Sequence, residues 1–229
     1  MNTPQVSVII PVYNEADTIE EVLKRVLALS IKHEVIVVDD GSEDATVAIA
    51  RSMDDDRLKV ITQDFNRGKG AAIRLGLLHA QGQIVAIQDA DLEYYPEDLP
   101  SLISEFNDPK VVAVYGSRFL EGRPPMRWAN YLANRILAIS ANVLYRGSIS
   151  DEATCYKLVR TDTLRQLNLR CERFEFCPEV TAKLMKRGDM IKEMPIRYVP
   201  RTYGQGKKIT WRDGFEALWT LVKYRFVRY

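Results

Sequence analysis

In the first half of the chain, apolar positions fall into short uninterrupted runs separated by amphipathic stretches. Val6-Ser-Val-Ile-Ile10, Glu34-Val-Ile-Val-Val38, Leu58 to Thr62 and Ile84 to Gln88 each have the length of one buried strand. Runs that are continuous, not alternating, belong in a parallel sheet covered on both faces. Between them Ile19, Val22, Leu23, Val26 and Leu27 recur at helical spacing, with Asp17 and Glu20 at capping-box distance. Asp44 is placed to cap a second helix, and a third runs through Ala71, Ile73, Leu75 and Leu78 to Gly82. Strands alternating with helices in this way predict an α/β fold.

Downstream, a helix is expected from Pro96 to about Phe106, with Pro100 disturbing its first turns, then a strand from Val111 to Tyr115. Met126 to Tyr145 reads as a long helix with Tyr131, Leu132, Ile136, Ile139 and Val143 along one side. Tyr156 to Val159 is a further strand, Phe176 to Arg187 a helix and Met190 to Val199 an extended segment. The parallel pattern weakens after about Arg123, which divides residues 1–125 from residues 126–229. From Trp211 to Tyr229, Phe215, Leu218, Trp219, Val222 and Phe226 lie at helical spacing beside Lys223, Arg225 and Arg228. That amphipathic end either packs on the domain or lies on a membrane surface.

Composition narrows the options. A formal net charge of +1 over 229 residues argues against wholesale nucleic-acid binding. The charge is uneven, because residues 201–229 carry seven Lys or Arg against Asp213 and Glu216. Cys155, Cys171 and Cys177 are odd in number and lack paired metal-ligand spacing, so neither a disulfide framework nor a zinc site is expected, and a reducing cytoplasm fits. The run from Val6 to Val12 reads as a first strand, not as the core of a signal peptide. Ile136 to Tyr145 is about half of the roughly 20 residues a membrane-crossing helix needs. His33 and His79 have no sequence partner for triad or metal work and are expected to be structural.

Three polar clusters follow strands: Tyr13-Asn14-Glu15, Asp39-Asp40 and Asp89-Ala90-Asp91. In a parallel sheet, ligands bind beyond the carboxyl ends of the strands, so the fold should bring all three to one rim. Asp89 and Asp91 are two apart on extended chain and point the same way. Their mutual repulsion is relieved by a hard cation such as Mg²⁺ or Mn²⁺ shared with substrate phosphates. Alternatively they are turn and cap residues leading into Pro96-Glu97-Asp98.

Taken in order, Pro11-Val-Tyr-Asn-Glu15, Val38-Asp-Asp-Gly-Ser42, Asn66-Arg-Gly-Lys-Gly70, Asp89-Ala-Asp91 and Gly116-Ser-Arg118 resemble the family 2 glycosyltransferases. The likeness is greatest to the dolichyl-phosphate and polyprenyl-phosphate mannosyl- and glucosyltransferases. It extends to Glu193-Met-Pro-Ile-Arg-Tyr198 and Arg201-Thr-Tyr-Gly-Gln-Gly-Lys207. The resemblance implies a GT-A, Rossmann-like, mostly parallel sheet flanked by helices, with a nucleotide-sugar-binding half (1–125) and an acceptor-binding half (126–229) ending in amphipathic helices. It implies an inverting hexosyltransferase using a UDP- or GDP-hexose and a polyprenyl phosphate, peripheral on the cytoplasmic face of a membrane. Pro11, Tyr13 and Glu15 would hold base and ribose, Asp39 and Asp40 would complete the nucleotide pocket, and Lys69, Asp89 and Ala90 would line the donor site. Asp91 would ligate Mg²⁺ or Mn²⁺, with Asp89 and Glu93 beside it; relatives often carry Gln at the position of Glu93. Arg118 and Arg135 would meet the acceptor phosphate, and Arg201 and Lys207 the donor phosphates. Asp151-Glu152-Ala-Thr-Cys155 departs from the pattern of relatives, which carry Asp followed by Thr-Ser-Gly.

The chemistry of the acceptor agrees with this assignment. A hydroxyl acceptor needs a general base, whereas a monophosphate with second pKa around 6 is already anionic and needs cations. Asp151 is the candidate base if the acceptor is a saccharide hydroxyl. A non-catalytic nucleotide-sugar-binding module is the alternative outside enzymes. A nucleotidylyltransferase is disfavoured, since the first loop lacks the glycine-rich, basic sequence that grips a nucleoside triphosphate.

Overall fold

The computed structural model describes residues 4–201 and 211–227. Strands β1 (Val6–Val12), β2 (His33–Asp39), β3 (Leu58–Thr62) and β4 (Ile84–Ile87) alternate with helices α1 (Ile19–Leu27), α2 (Thr46–Ser52) and α3 (Lys69–His79). The apolar runs of β1, β2 and β4 are buried on both sheet faces, as in residues Val35, Ile36, Val37 and Val38 of β2, whereas β3 is an edge strand with no fully buried residue. β1 pairs in parallel with β2 and with β4, and β2 in parallel with β3.

The second half adds β5 (Val111–Ser117), β6 (Lys157–Arg160) and β7 (Met190–Pro195), giving one seven-stranded sheet in the order β3-β2-β1-β4-β6-β5-β7. β6 runs antiparallel to both β4 and β5, so the sheet is mixed and not wholly parallel. Because β6 opposes both neighbours, β5 keeps the direction of β4 and delivers its carboxyl end to the same edge.

Local chemistry explains where elements start. Asp17 does not cap α1; the helix begins after Thr18 without a side-chain cap, and the Glu15 carbonyl accepts the Thr18 and Ile19 N–H groups. Asp44 does organise the start of α2, accepting the Thr46 N–H at 2.9 Å and, from the α1 approach, the Ala16 N–H at 3.1 Å. The helix expected after Pro96 is broken into a 3₁₀ turn (Pro96–Asp98), α4 (Leu99–Ser104) and a second 3₁₀ turn (Glu105–Asn107), with Pro100 in the first turn of α4 where its missing N–H costs nothing. α5 (Trp128–Tyr145) starts two residues later than expected, and α6 (Thr161–Gln166), which the apolar pattern does not reveal, follows β6 directly. α7 (Phe176–Arg187) and α8 (Trp211–Phe226) complete the chain.

The main core packs both faces of the sheet, and a second core joins Leu137 and Ala141 of α5, Ala182 of α7 and Ala217, Leu221 and Tyr224 of α8. α8 is therefore held by its small and aromatic residues. The Nδ1 of buried His33 lies 2.8 Å from the Ile31 carbonyl, and the Nδ1 of His79 lies 3.0 Å from Lys59 Nζ. No helix among the described residues is long and apolar enough to cross a membrane.

Candidate active site

β2, β1 and β4 lie side by side in parallel, with Val12 opposite Asp39, so the loops after them leave one edge of the sheet together. All three polar clusters are carried by these loops. A cleft of about 460 Å³ opens there between Tyr13, Asp39, Ser42 and Glu43 on one side and Gln63, Phe65 and Asn66 on the other. Asp39 is buried and shapes the near wall by accepting the Gly41 N–H at 3.2 Å and the Ser42 N–H at 3.1 Å. Gly41 has φ +78° and an added Cβ would lie 2.9 Å from the Asn66 nitrogen, so this wall requires glycine. Pro11 sits behind the cleft on β1, opposite Val38.

Asp40 faces away from that opening. Its carboxylate accepts the Arg67 N–H at 2.8 Å, the Gly68 N–H at 2.7 Å and the Gln63 amide at 2.9 Å, and so braces the loop before α3. Burial raises the Asp40 pKa; the Arg67 and Gly68 N–H groups oppose that shift. From the far side the same loop meets residues 170–173: the Glu172 carbonyl accepts the Ala71 N–H at 2.9 Å, and Glu172 pairs with Arg67 at 2.8 Å. Gly68, at φ +104°, lies so close that a Cβ would come within 2.5 Å of the Glu172 carbonyl oxygen. On the expectation that the cleft takes a nucleotide, replacing Asp40 by Asn should weaken that binding by about tenfold, from the loss of charged hydrogen bonds to the loop. Titration with UDP and GDP checks this, and unchanged affinity would mean that the brace does not serve the cleft.

The acidic turn is stitched by two cations. Lys69, first residue of α3, holds Asp89 at 2.5 Å. Arg201 donates from Nε to the Asp91 carbonyl at 2.7 Å and from Nη2 to Glu15 at 2.8 Å, and its backbone N–H reaches Glu93 at 2.7 Å. Arg201 thus ties the first and third polar clusters together. Asp91 is half-buried, and its carboxyl is pushed up to about 7 by burial and by the negative charges of Asp89 and Glu93. Ala90 between the two aspartates is buried.

Asp89, Asp91 and Glu93 are near enough for their charges to act on one another but are not arranged as a ready-made ligand set. Among the described residues no group of three or more Asp, Glu, His or Cys side chains is arranged to hold an ion. The physical reason is that Lys69 draws Asp89 and the Arg201 N–H draws Glu93. Asp91 retains the donor chemistry a hard cation needs: carboxylate oxygen in a site of excess negative charge, with the remaining ligands to come from substrate phosphate and water. The site therefore fits Mg²⁺ or Mn²⁺ held by one carboxylate.

At the end of β5, Arg118 forms a bidentate pair with fully buried Asp151, Nε to Oδ2 at 2.7 Å and Nη2 to Oδ1 at 2.8 Å. The Arg118 N–H also reaches Asp151 at 3.1 Å. Burial opposes the Arg118 charge, but Asp151 outweighs it and raises its pKa well above the ordinary value. Glu193 fixes the partner loop by accepting the Ser150 and Asp151 N–H groups at 2.7 and 3.0 Å. Arg135 donates to the Ser150 carbonyl at 3.0 Å and lies over Phe119. A smaller cavity of about 130 Å³ is lined by Arg118, Arg123 and Tyr198. Cys155 is buried with its thiol pushed up by burial, unlike a nucleophile. Lys207 lies outside the described residues, as do Lys208 and Arg228.

Phe65, Gln63, Arg123 and Glu172 were not singled out by the sequence pattern. Gln63 and Phe65 follow β3 as the other clusters follow their strands, and that position was the available signal. Glu172 and Arg123 give none.

A mostly parallel, mixed sheet presenting acidic loops and a nucleotide-sized cleft at one edge, beside an arginine-lined pocket, defines a GT-A fold. Structures of glucosyl-3-phosphoglycerate synthase from Mycobacterium tuberculosis superpose with TM-score 0.75 at 19% identity, covering 98% of this chain and 81% of that one, in a complex with UDP and in one with Mn²⁺, UDP-glucose and phosphoglyceric acid. The chain belongs to glycosyl transferase family 2, whose pattern matches residues 7–167. Among characterised relatives, a dodecaprenyl-phosphate galacturonate synthase from Rhizobium johnstonii is 29% identical over 89% of this chain and 61% of its own length. An undecaprenyl-phosphate 4-deoxy-4-formamido-L-arabinose transferase from Edwardsiella ictaluri is 30% identical over 88% and 62%. A dolichol-phosphate mannosyltransferase from Pyrococcus furiosus is 28% identical over 89% and 59%. The chain thus spans about three fifths of the length of these relatives.

Proposed function

We propose that this chain is an inverting, divalent-metal-dependent glycosyltransferase that moves a hexose from a UDP- or GDP-sugar to a polyprenyl phosphate at a membrane surface. The observation that carries the acceptor assignment is the Arg118–Asp151 pair. Asp151, the carboxylate a saccharide-hydroxyl acceptor would need as base, is fully buried and bound by both arms of Arg118. An acceptor that arrives already anionic requires no base, and Arg118, Arg123 and Arg135 supply the positive field on that side. Relatives named for polyprenyl-phosphate acceptors support the same reading.

On this reading the residues divide the work as follows. The cleft between Tyr13 and Phe65 takes the nucleobase, with Asp39 and the Gly41–Ser42 backbone at its near wall. Lys69 and Arg201 bring positive charge to the donor diphosphate, on either side of the acidic turn. Asp91 would hold a Mg²⁺ or Mn²⁺ ion, which would supply electrostatic stabilisation of the charge that develops on the leaving diphosphate. The acceptor phosphate, oriented by the arginines, attacks the anomeric carbon from the face opposite that diphosphate, which inverts its configuration. Asp89 is kept by Lys69 close to the donor and does not act as base.

The test is an acceptor screen. Purified protein with Mn²⁺ and a panel of labelled sugar nucleotides should label polyprenyl phosphate and leave free saccharides unlabelled. Label on a saccharide alone overturns the acceptor assignment, and tight nucleotide-sugar binding with no transfer to any acceptor favours the binding-module alternative.

A further inference from the structure

Lys69 is seated by a buried charge cluster on the far side of its loop. Glu179 and Lys183, one turn apart on α7, are both fully buried and pair at 2.7 Å. From sequence, that spacing reads as an ordinary exposed helix contact. Both oxygens of Glu179 are used. Oε1 accepts from Lys183, from the Tyr224 hydroxyl at 2.7 Å and from the Arg170 N–H at 2.9 Å, and Oε2 accepts the Cys171 N–H at 2.8 Å. Lys183 in turn donates to the Leu167 and Asn168 carbonyls, each at 2.9 Å. Burial alone would raise the Glu179 carboxyl, but Lys183, the Cys171 N–H and Tyr224 outweigh it and lower its pKa, which keeps the group charged.

A buried ion pair is a costly way to join two helices, and well-packed apolar groups often serve stability as well. Apolar groups cannot grip a backbone. The cluster holds residues 167–171 by two N–H groups and two carbonyls, and the residues that follow are the ones that touch the loop before α3. A Cβ on Gly70 would lie 2.7 Å from the Cys171 carbonyl oxygen, as one on Gly68 would collide with that of Glu172. The Ala71 N–H ends on the same Glu172 carbonyl. Lys69 stands between these two glycines, and its Nζ reaches Asp89. Its backbone is therefore pressed against a segment whose course Glu179 sets.

We propose that Glu179 is a positioning residue for the donor side: with Lys183 and Tyr224 it fixes residues 170–172, and through them the place of Lys69 beside Asp89. The proposal rests on the reading that Lys69 meets the donor diphosphate, and adds to it a residue too deeply buried to touch substrate. It also gives α8 a part in donor binding, because Tyr224 supplies one of the donors to Glu179. Two variants test it. Glu179→Gln keeps the size of the side chain and removes its charge. Tyr224→Phe keeps the ring in the second core and removes only the hydroxyl, so it serves even if Glu179→Gln does not fold.

The measurements are labelling of Lys69 by an amine reagent, read by mass spectrometry on the whole protein, and titration with UDP and GDP in the presence of Mn²⁺. Lys69 labelling should rise at least about threefold in Glu179→Gln and about twofold in Tyr224→Phe, as its seat opens locally. Labelling of Lys24, exposed on α1, should stay at the wild-type level. Nucleotide affinity should fall about tenfold in Glu179→Gln. In a Lys69→Met background the same change should cost no further affinity, because a residue that acts through Lys69 then has nothing to act on. A merely structural role would add its loss to that of Lys69→Met. Additive losses, or Lys69 labelling at the wild-type level in every variant that folds, overturn the proposal. A wild type that binds neither nucleotide, or Lys69→Met with unchanged affinity, contradicts the placement of Lys69 on the donor diphosphate. Raised Lys69 labelling in the Glu179 variant would then still uphold the seat that Glu179 provides.

Discussion

Replacing Asp91 by Asn should lower transfer by about a thousandfold or more, the several kcal/mol a divalent ion contributes to a developing diphosphate charge. Asn keeps the shape of the turn, in which Oδ1 accepts the Glu93 N–H at 3.1 Å and the Asp91 carbonyl accepts from Arg201. It removes the charge that holds the cation. Stability should move the other way. The native Asp91 carboxyl is raised to about 7 from 3.8, so its contribution to stability is present below the unfolded value and lost as pH rises through 7. A neutral side chain escapes that loss, so the metal-free variant should melt at or above wild type at pH 8. Activity with Mn²⁺ titration, read beside melting curves at pH 5 and pH 8, checks both halves. Full activity of the variant in EDTA would remove the metal from the account.

The second large effect belongs to Arg118. Its removal as Arg118→Ala leaves Asp151 buried without its partner, which costs about 3–5 kcal/mol and lowers the melting temperature by on the order of ten degrees. Loss of transfer in that variant alone could reflect unfolding. The pair Arg118→Met with Asp151→Leu separates the roles, because replacing a whole buried ion pair by apolar groups restores much of the stability. The double variant should fold, bind UDP with Mn²⁺ and transfer nothing to polyprenyl phosphate. Substantial transfer by it would show that the acceptor phosphate is held elsewhere, with Arg123 and Arg135 as the remaining cations of that side.

The sequence reveals most of the sheet and little of what reaches across it. Continuous apolar runs mark β1, β2 and β4 because each of these strands is buried on both faces, and the three polar clusters are legible because they follow those runs immediately. The antiparallel insertion of β6 between β4 and β5 is set by long-range pairing, which no local pattern records. The same holds for charge partners. Arg118 with Asp151, Arg201 with Glu15 and Arg67 with Glu172 are distant in sequence, so the arginines read as unpaired cations until the fold brings their acids to them. Glu93 reads from sequence as a further hard-oxygen ligand, and the fold adds a partner that sequence does not show, the Arg201 N–H. Helical spacing locates α5 and α8 correctly, but large side chains are the loudest signal, and the packed faces mix alanines with Leu137, Leu221 and Tyr224. Ala217, Ala138 and Ala141 sit against the core while Phe215, Trp219 and Leu132 face outward.

Asp40 and Asp39 illustrate a finer limit. Adjacent in sequence and both buried, they point to opposite sides of one strand end, as alternation along a strand requires. One shapes the cleft and the other holds the loop behind it. Their shared motif gives no sign of that division of labour.

The most direct test of the central claim is the identity of the bond made. Product from a preparative reaction with polyprenyl phosphate, Mn²⁺ and the accepted sugar nucleotide should show, by phosphorus and proton NMR, a sugar joined through its anomeric carbon to the lipid phosphate, with anomeric configuration opposite to that of the donor. A sugar joined to a hydroxyl, or a phosphodiester that retains the donor configuration, would contradict it.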